Sequence, residues 1–117
     1  TLRKVYERYH LPILVTENGI GAPDILEADG KIHDAYRIQF IREHLQQMRL
    51  AITDGVQILG YCPWAAIDVV STHQGYRKRY GFIYVDREEF DLKELKRFRK
   101  DSFYWYANVI LENGQNL

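Results

Sequence analysis

The sequence has little cysteine, no excess charge of either sign and no long apolar run. Cys62 is the only cysteine, so the chain cannot form an internal disulfide, and we expect a buried, inert thiol in a reducing, cytoplasmic compartment. Sixteen Lys and Arg residues balance sixteen Asp and Glu residues, which gives no global charge to attract nucleic acid or an anionic membrane. The sequence also shows no export signal and no run of about eighteen apolar residues, so we expect no membrane span.

Metal-ligand spacing is also absent from the sequence. The four histidines are scattered, at His10, His33, His44 and His73, and none of them is spaced from Cys, Asp or another His as zinc ligands are. We therefore predict no metal site, and no motif implies a cofactor. Aromatic residues are plentiful at 14%, which is compatible either with a stacking site for a planar or sugar face or with an aromatic core.

Hydrophobic periodicity predicts helices that alternate with strands. Helices are predicted at 2–9, at 35–53 with Asp34 as the N-cap, and at about 96–112; strands are predicted at 13–16 and 56–61, with a short extended piece at 83–85. This order indicates right-handed βαβ units with parallel strands. Because two parallel strands cannot bury both of their faces, we interpret the chain as a fragment of a larger fold that self-associates when isolated.

Glu17 stands where the first apolar run ends, in the sequence Thr-Glu-Asn-Gly. Asn18 and Gly19 alone could turn the chain, so the turn does not need the glutamate. Ligands of parallel α/β folds bind at the carboxyl ends of the strands, which makes a carboxylate at this position a candidate catalytic group. Glu17 alone does not decide between a simple turn and a catalytic site, so the second strand provides the test.

The second strand leads to an aromatic side chain and a polar loop. Trp64 follows Pro63 at the strand end, where an indole could stack on a sugar face. Ser71, Lys78 and Tyr80 then bring a hydroxyl, an ammonium and a phenol to one loop, a donor set suited to a phosphate. The alternative interpretation of 76–80, "YRKRY", is a solvated basic turn.

Four segments resemble glycoside hydrolase family 1, in the order in which they occur in that family. "ILVTENGIG" at 13–21 resembles the segment that carries the nucleophile after the seventh barrel strand, and "GYCPWAAID" at 60–68 resembles the eighth strand with its sugar-facing tryptophan. "KRYGFIYVD" at 78–86 and "RKDSFYWY" at 99–106 resemble the following loop and final helix. The resemblance implies an α/β fold in which residues 1–117 are a single C-terminal fragment, about the last two βα units, of a TIM (β/α)8 barrel.

Ser71 indicates which branch of that family the chain resembles. Family members that act on plain glucosides usually have a glutamate seven residues after the strand-eight tryptophan, whereas the phospho-glycosidase branch has a serine there, followed by a lysine and a tyrosine that bind the sugar 6-phosphate. Ser71, Lys78 and Tyr80 match the second pattern, and a glutamate at position 71 would repel a phosphate. Thr72 replaces the tryptophan that is typical of 6-phospho-β-galactosidases, which favours a 6-phospho-β-glucosidase. A 6-phospho-β-galactosidase and an unphosphorylated β-glucosidase remain alternatives.

The resemblance implies retaining hydrolysis of a phosphorylated β-glucoside, with Glu17 as the nucleophile and Trp64 against the sugar. The acid/base glutamate of this family lies in an Asn-Glu-Pro segment, which these 117 residues do not contain, so we expect the fragment alone to be inactive. We expect Asp68 to brace the loop after the second strand and Arg37 to pair near the start of its helix. A non-catalytic phosphosugar-binding module and a purely structural, self-associating fragment are the alternatives of another class.

Overall fold

The computed structural model describes residues 1–117 and contains three helices and four strands. In chain order these are α1 (Leu2–Tyr9), β1 (Ile13–Asn18), α2 (Ala35–Thr53), β2 (Ile58–Pro63), β3 (Ile83–Val85), β4 (Arg97–Arg99) and α3 (Asp101–Leu111). The predicted alternation of helices and strands is confirmed, as is the extended piece at 83–85. None of the helices combines the length and the apolar character that crossing a membrane requires.

The boundaries of both parallel strands differ from those predicted. β1 continues through Glu17 and Asn18 instead of stopping at 16. β2 begins at Ile58 instead of 56, because the N–H of Val56 still donates to the carbonyl of Ala51 at the end of α2. Glu17 therefore belongs to the strand itself, between Val15 and Asn18, which both have partners on β2.

A fourth strand occupies the predicted start of the last helix. Residues 97–99 form β4, which pairs antiparallel with β3, with Tyr84 opposite Phe98. The N–H of Lys100 then donates to the carbonyl of Phe82, 3.0 Å away, and α3 starts only at Asp101. The helix therefore begins later than predicted because pairing with a distant segment takes the backbone donors and acceptors that another helical turn would use.

β1 and β2 form a parallel two-stranded sheet whose carboxyl ends lie side by side. Val15 is opposite Tyr61 and Asn18 is opposite Pro63. Just beyond the sheet, the N–H of Trp64 donates to the carbonyl of Asn18 over 2.8 Å. The sheet therefore brings the two strand ends that carry Glu17 and Trp64 to one edge.

The hydrophobic core lies between α2 and α3 and leaves one face of the parallel sheet open. Ile41, Leu45, Phe82 and Val109 form this core, whereas Leu14 and Leu59 on the sheet are 49% and 73% exposed. The radius of gyration is 16.2 Å, against about 13 Å for a compact domain of this length. The predicted burial of Cys62 is wrong, because Cys62 is exposed and no element of the chain covers its face of the sheet.

We predict that the isolated chain self-associates through this open sheet. β1 and β2 each keep a free edge, and the apolar side chains of Leu14 and Leu59 gain a dry environment if a second copy covers them. Sedimentation velocity at micromolar concentration is expected to show a dimer or a larger species, and Leu59→Lys is expected to weaken the association. A folded monomer over a wide concentration range would contradict this prediction.

Candidate active site

Glu17 lies at the carboxyl edge of the parallel sheet with its side chain exposed. The neighbouring Asn18 is held by the Tyr61 phenol, which donates to its side-chain oxygen over 2.6 Å, and burial raises the pKa of Tyr61. A Cβ at Gly19 would overlap the carbonyl oxygen of Trp64, so glycine is needed there to let the two strand ends approach each other. Glu17 makes no hydrogen bond or ion pair through its side chain, so its carboxylate is free to act on a ligand.

Trp64 lies just beyond the end of β2, the strand that pairs with the Glu17 strand. Trp64 is 41% exposed, and its backbone N–H is held by the hydrogen bond to the Asn18 carbonyl. An indole held at such an edge offers an apolar face on which a sugar ring can stack. The structure therefore brings the two predicted strand-end residues, Glu17 and Trp64, together.

The structure also brings Ser71, Lys78 and Tyr80 together. The Tyr80 phenol donates a long hydrogen bond to Ser71 Oγ, at 3.5 Å, and Lys78 Nζ lies 5.4 Å from the centre of the Tyr80 ring. The pKa of Tyr80 is lowered from its ordinary value by the Ser71 hydroxyl, which can donate to the phenolate, and by the neighbouring Lys78 ammonium, against the opposing effect of partial burial. These three residues form one cluster of donors, which we call the donor cluster.

The donor cluster has capacity to bind an anion. Ser71 Oγ accepts weakly from the N–H groups of His73 and Gln74, at 3.4 and 3.3 Å, and the hydroxyl proton remains free to donate. Lys78 forms no ion pair with any carboxylate of the chain, unlike Lys93, Lys96 and Lys100. A hydroxyl, a phenol and an unpaired ammonium together can bind a phosphate through charge-assisted hydrogen bonds.

The interpretation of "YRKRY" as a solvated turn is wrong for one of its cations. Arg79 is buried at 7% exposure and pairs with Asp68. Arg77 is exposed, and it lines an open pocket of about 410 Å³ with Lys78, Gln74 and the segment 21–23. The turn therefore contains one inward arginine, Arg79, that anchors the loop, and two cations, Arg77 and Lys78, that line the open pocket.

A buried network of three cations and three carboxylates lies beneath the donor cluster. Its members are Asp24, Asp34, Arg37, Asp68, Arg79 and Lys100. Lys100 Nζ lies 2.5 Å from Asp24 and 2.7 Å from Asp68, and all three side chains are fully buried. The charges balance within the network, which keeps each buried ion paired.

The network joins the loop after β1 to the loop after β2. Arg37 donates to the carbonyls of Ile20 at 2.6 Å and Tyr80 at 3.0 Å while it pairs with Asp24 and Asp34. Burial opposes the charge on Arg37, but the nearby carboxylates and the Tyr36 phenol outweigh it and raise the pKa of Arg37. The two loops that carry the candidate site are therefore tied to the start of α2.

Two of the sequence expectations about this region are confirmed. Arg37 pairs with Asp34 at the start of its own helix, at 2.8 Å. Asp68 braces the loop after β2 by accepting from the N–H groups of Gly81 and Val85. Asp34 occupies the N-cap position but makes no side-chain capping bond, because its carboxylate accepts instead from Ser102 and Arg37.

Sequence reasoning missed Asp24 and Lys100, the most distant members of the network. They are 76 positions apart, and neither lies in a local pattern that signals burial. Arg79 was missed as an anchor because it lies among exposed cations. No group of three or more His, Cys, Asp or Glu side chains is arranged to hold a metal ion.

Comparison with known protein families shows which family the chain belongs to. The profile described as "Glycosyl hydrolase family 1" matches residues 1–115. The chain belongs to glycosyl hydrolase family 1. Among curated family 1 proteins, it is 52% identical to "Aryl-phospho-beta-D-glucosidase BglC" of Bacillus subtilis, over 99% of this chain and 24% of that protein. It is 47% identical to "6-phospho-beta-glucosidase AscB" of Escherichia coli, over 100% of this chain and 25% of that protein.

Solved structures of family 1 agree with this relationship. The family 1 β-glucosidase from Thermotoga maritima superimposes with a TM-score of 0.88 at 40% identity, over 97% of this chain and 25% of that one. The fold is that of a C-terminal fragment of the family's TIM (β/α)8 barrel, as the sequence resemblance implied. The chain thus spans about a quarter of the length of the relatives it matches.

Proposed function

We propose that this chain is the C-terminal quarter of a longer enzyme, here called the full-length protein, that hydrolyses 6-phospho-β-glucosides with retention of configuration. The observation that carries the proposal is the donor cluster of Ser71, Lys78 and Tyr80, which offers an unpaired ammonium and two hydroxyl groups. The names of the relatives at 52% and 47% identity support the same substrate class. The position of Thr72 directly after Ser71 supports a gluco rather than a galacto sugar.

In the proposed mechanism, Glu17 attacks the anomeric carbon as the glycosidic bond breaks. A carboxylic acid from outside these 117 residues, about 5 Å from Glu17, donates its proton to the leaving oxygen. The same group, now a carboxylate, then removes a proton from water, which releases the sugar and restores Glu17. Trp64 stacks on the sugar face, and the donor cluster binds the 6-phosphate at the far end of the ring.

Ser71 makes the phosphate the favoured substituent on electrostatic grounds. A glutamate at this position would place a negative charge beside a phosphate dianion, whereas the serine contributes only a donor. Lys78 adds a positive charge that no carboxylate of the chain neutralises. The local field therefore favours an anionic substituent even though the chain has no net charge.

We predict that Lys78→Ala in the full-length protein lowers the specificity constant for p-nitrophenyl β-glucoside 6-phosphate by about ten- to a hundredfold. This is the effect of losing one charge-assisted hydrogen bond worth roughly 1.5–3 kcal/mol. The plain p-nitrophenyl β-glucoside, which lacks the phosphate, is expected to lose little. Ser71→Glu is expected to reduce the phosphorylated activity further, because it adds repulsion to the lost donor, and to improve the plain substrate.

Lys4→Ala is the matched control, because it removes the same charge at an exposed position on α1, outside the pocket that Lys78 lines. Its effect on the phosphorylated substrate is expected to be much smaller than that of Lys78→Ala. Equal losses from the two variants would indicate a general basic field instead of a defined phosphate site. Equal losses on the two substrates after Lys78→Ala would also count against the proposal.

A further inference from the structure

Gly21 lies four residues after Glu17 and packs directly against two members of the donor cluster. A Cβ at this position would lie 2.5 Å from Cε1 and 2.7 Å from Cζ of Tyr80, and 2.8 Å from Cε of Lys78. Carbon atoms in contact prefer separations of about 3.5–4.0 Å. Gly21 has no left-handed backbone, unlike Gly30 and Gly75, so glycine is needed here only for the close approach.

The backbone around Gly21 is anchored and cannot retreat from these side chains. Ala22 and Arg79 exchange both backbone hydrogen bonds, at 3.1 and 2.9 Å. On the other side, the carbonyl of Ile20 accepts from Arg37, which also donates to the carbonyl of Tyr80. A methyl group at position 21 would therefore displace the side chains of the donor cluster and not the loop.

Displacement of those side chains would move the phosphate donors themselves. The phenolic oxygen of Tyr80 is bonded to Cζ, and the ammonium of Lys78 is bonded to Cε, so two of the three crowded carbons are each one bond from a donor. The Tyr80 ring is rigid, so it can yield only by rotating as a whole and lengthening its bond to Ser71, which is already 3.5 Å. Lys78 is flexible and would move its charge out of the cluster.

We infer that Gly21 is a positioning residue that sets specificity for the sugar 6-phosphate. Its missing Cβ lets Tyr80 and Lys78 lie against the loop that follows the Glu17 strand, and this contact fixes the phosphate donors relative to that strand. The inference rests on the proposed function, because it assigns Gly21 to the recognition of the same substituent. Gly21 touches no reacting atom and acts only through Lys78 and Tyr80.

The test is Gly21→Ala in the full-length protein, with kcat and KM measured for p-nitrophenyl β-glucoside 6-phosphate and p-nitrophenyl β-glucoside. We expect the specificity constant for the phosphorylated substrate to fall about tenfold, mainly through KM, and that for the plain substrate to change less than about twofold. Gly30→Ala is the control: it lies on the same loop in open space with a φ of +79°, so it strains the backbone without crowding the donor cluster. It is expected to lower stability and leave the ratio of the two specificity constants unchanged.

A double-mutant cycle keeps the inference testable if Gly21→Ala alone folds poorly. In a Tyr80→Ala background the ring is gone, so adding Gly21→Ala is expected to cost less than it does in the native background. Additive effects, or an unchanged substrate ratio in Gly21→Ala, would overturn the role of Gly21 while leaving a native preference for the phosphorylated substrate intact. A native protein without that preference would overturn the proposed function itself.

Discussion

Glu17→Gln in the full-length protein is expected to lower kcat for the phosphorylated glucoside by at least about a thousandfold, because an amide cannot replace the attacking carboxylate. The substitution keeps the shape of the side chain. It breaks no hydrogen bond or ion pair of this chain, since Glu17 is exposed and makes none through its side chain. KM and the circular dichroism spectrum are therefore expected to change little. Steady-state kinetics and thermal unfolding measure the two effects separately.

Glu27→Gln is the matched control for this prediction, because it makes the same chemical change at an exposed position in the loop after β1. It is expected to leave kcat within about twofold of the native value, as a surface substitution far from a site does. A comparable loss in both variants, or a loss below tenfold for Glu17→Gln, would remove Glu17 from the role of nucleophile. Unfolding of Glu17→Gln would instead indicate a structural glutamate.

Lys100→Met is expected to lower the free energy of unfolding of the full-length protein by about 3–5 kcal/mol, because it leaves buried carboxylates without their shared cation. Lys100 lies between Asp24 and Asp68, and all three side chains are fully buried. Methionine fills a similar volume, so the loss would come from charge and not from a cavity. The midpoint of urea denaturation, with the slope checked for constancy, measures the effect.

Lys96→Met provides the comparison, since Lys96 pairs with Glu94 at a surface where its side chain is 63% exposed. Exposed pairs of this kind contribute about 0–1 kcal/mol. Equal destabilisation by the two substitutions would show that the buried network contributes no more than a surface pair. A large loss in Lys100→Met alone supports the network as the anchor of both loops.

The position of Glu17 could be predicted from sequence because it depends on local patterns. A short apolar run followed by Glu-Asn-Gly predicts a strand end with a carboxylate, and the sheet confirms that Glu17 lies there. Ser71, Lys78 and Tyr80 fall on one short loop, so their proximity required little long-range information. Their roles in substrate binding stay predictions.

Features that depend on distant contacts could not be predicted from these patterns. β4 is only three residues long, and its pairing with β3 decides its structure. The partners of Lys100 come from loops far away in the chain. The contact of Gly21 with Tyr80 appears only once the two loops are packed, because glycine in a loop otherwise suggests only conformational freedom.

The most direct test of the account compares specificity constants of the native full-length protein for p-nitrophenyl β-glucoside 6-phosphate and p-nitrophenyl β-glucoside. The 117-residue chain, assayed alongside, is expected to show no turnover, because the proposed mechanism needs a second carboxyl group from outside it. With three phosphate donors in place, the full-length protein is expected to prefer the phosphorylated substrate by at least about a hundredfold. Equal specificity constants, or a preference for the plain glucoside, would contradict the assignment of Ser71, Lys78 and Tyr80 to a phosphate site.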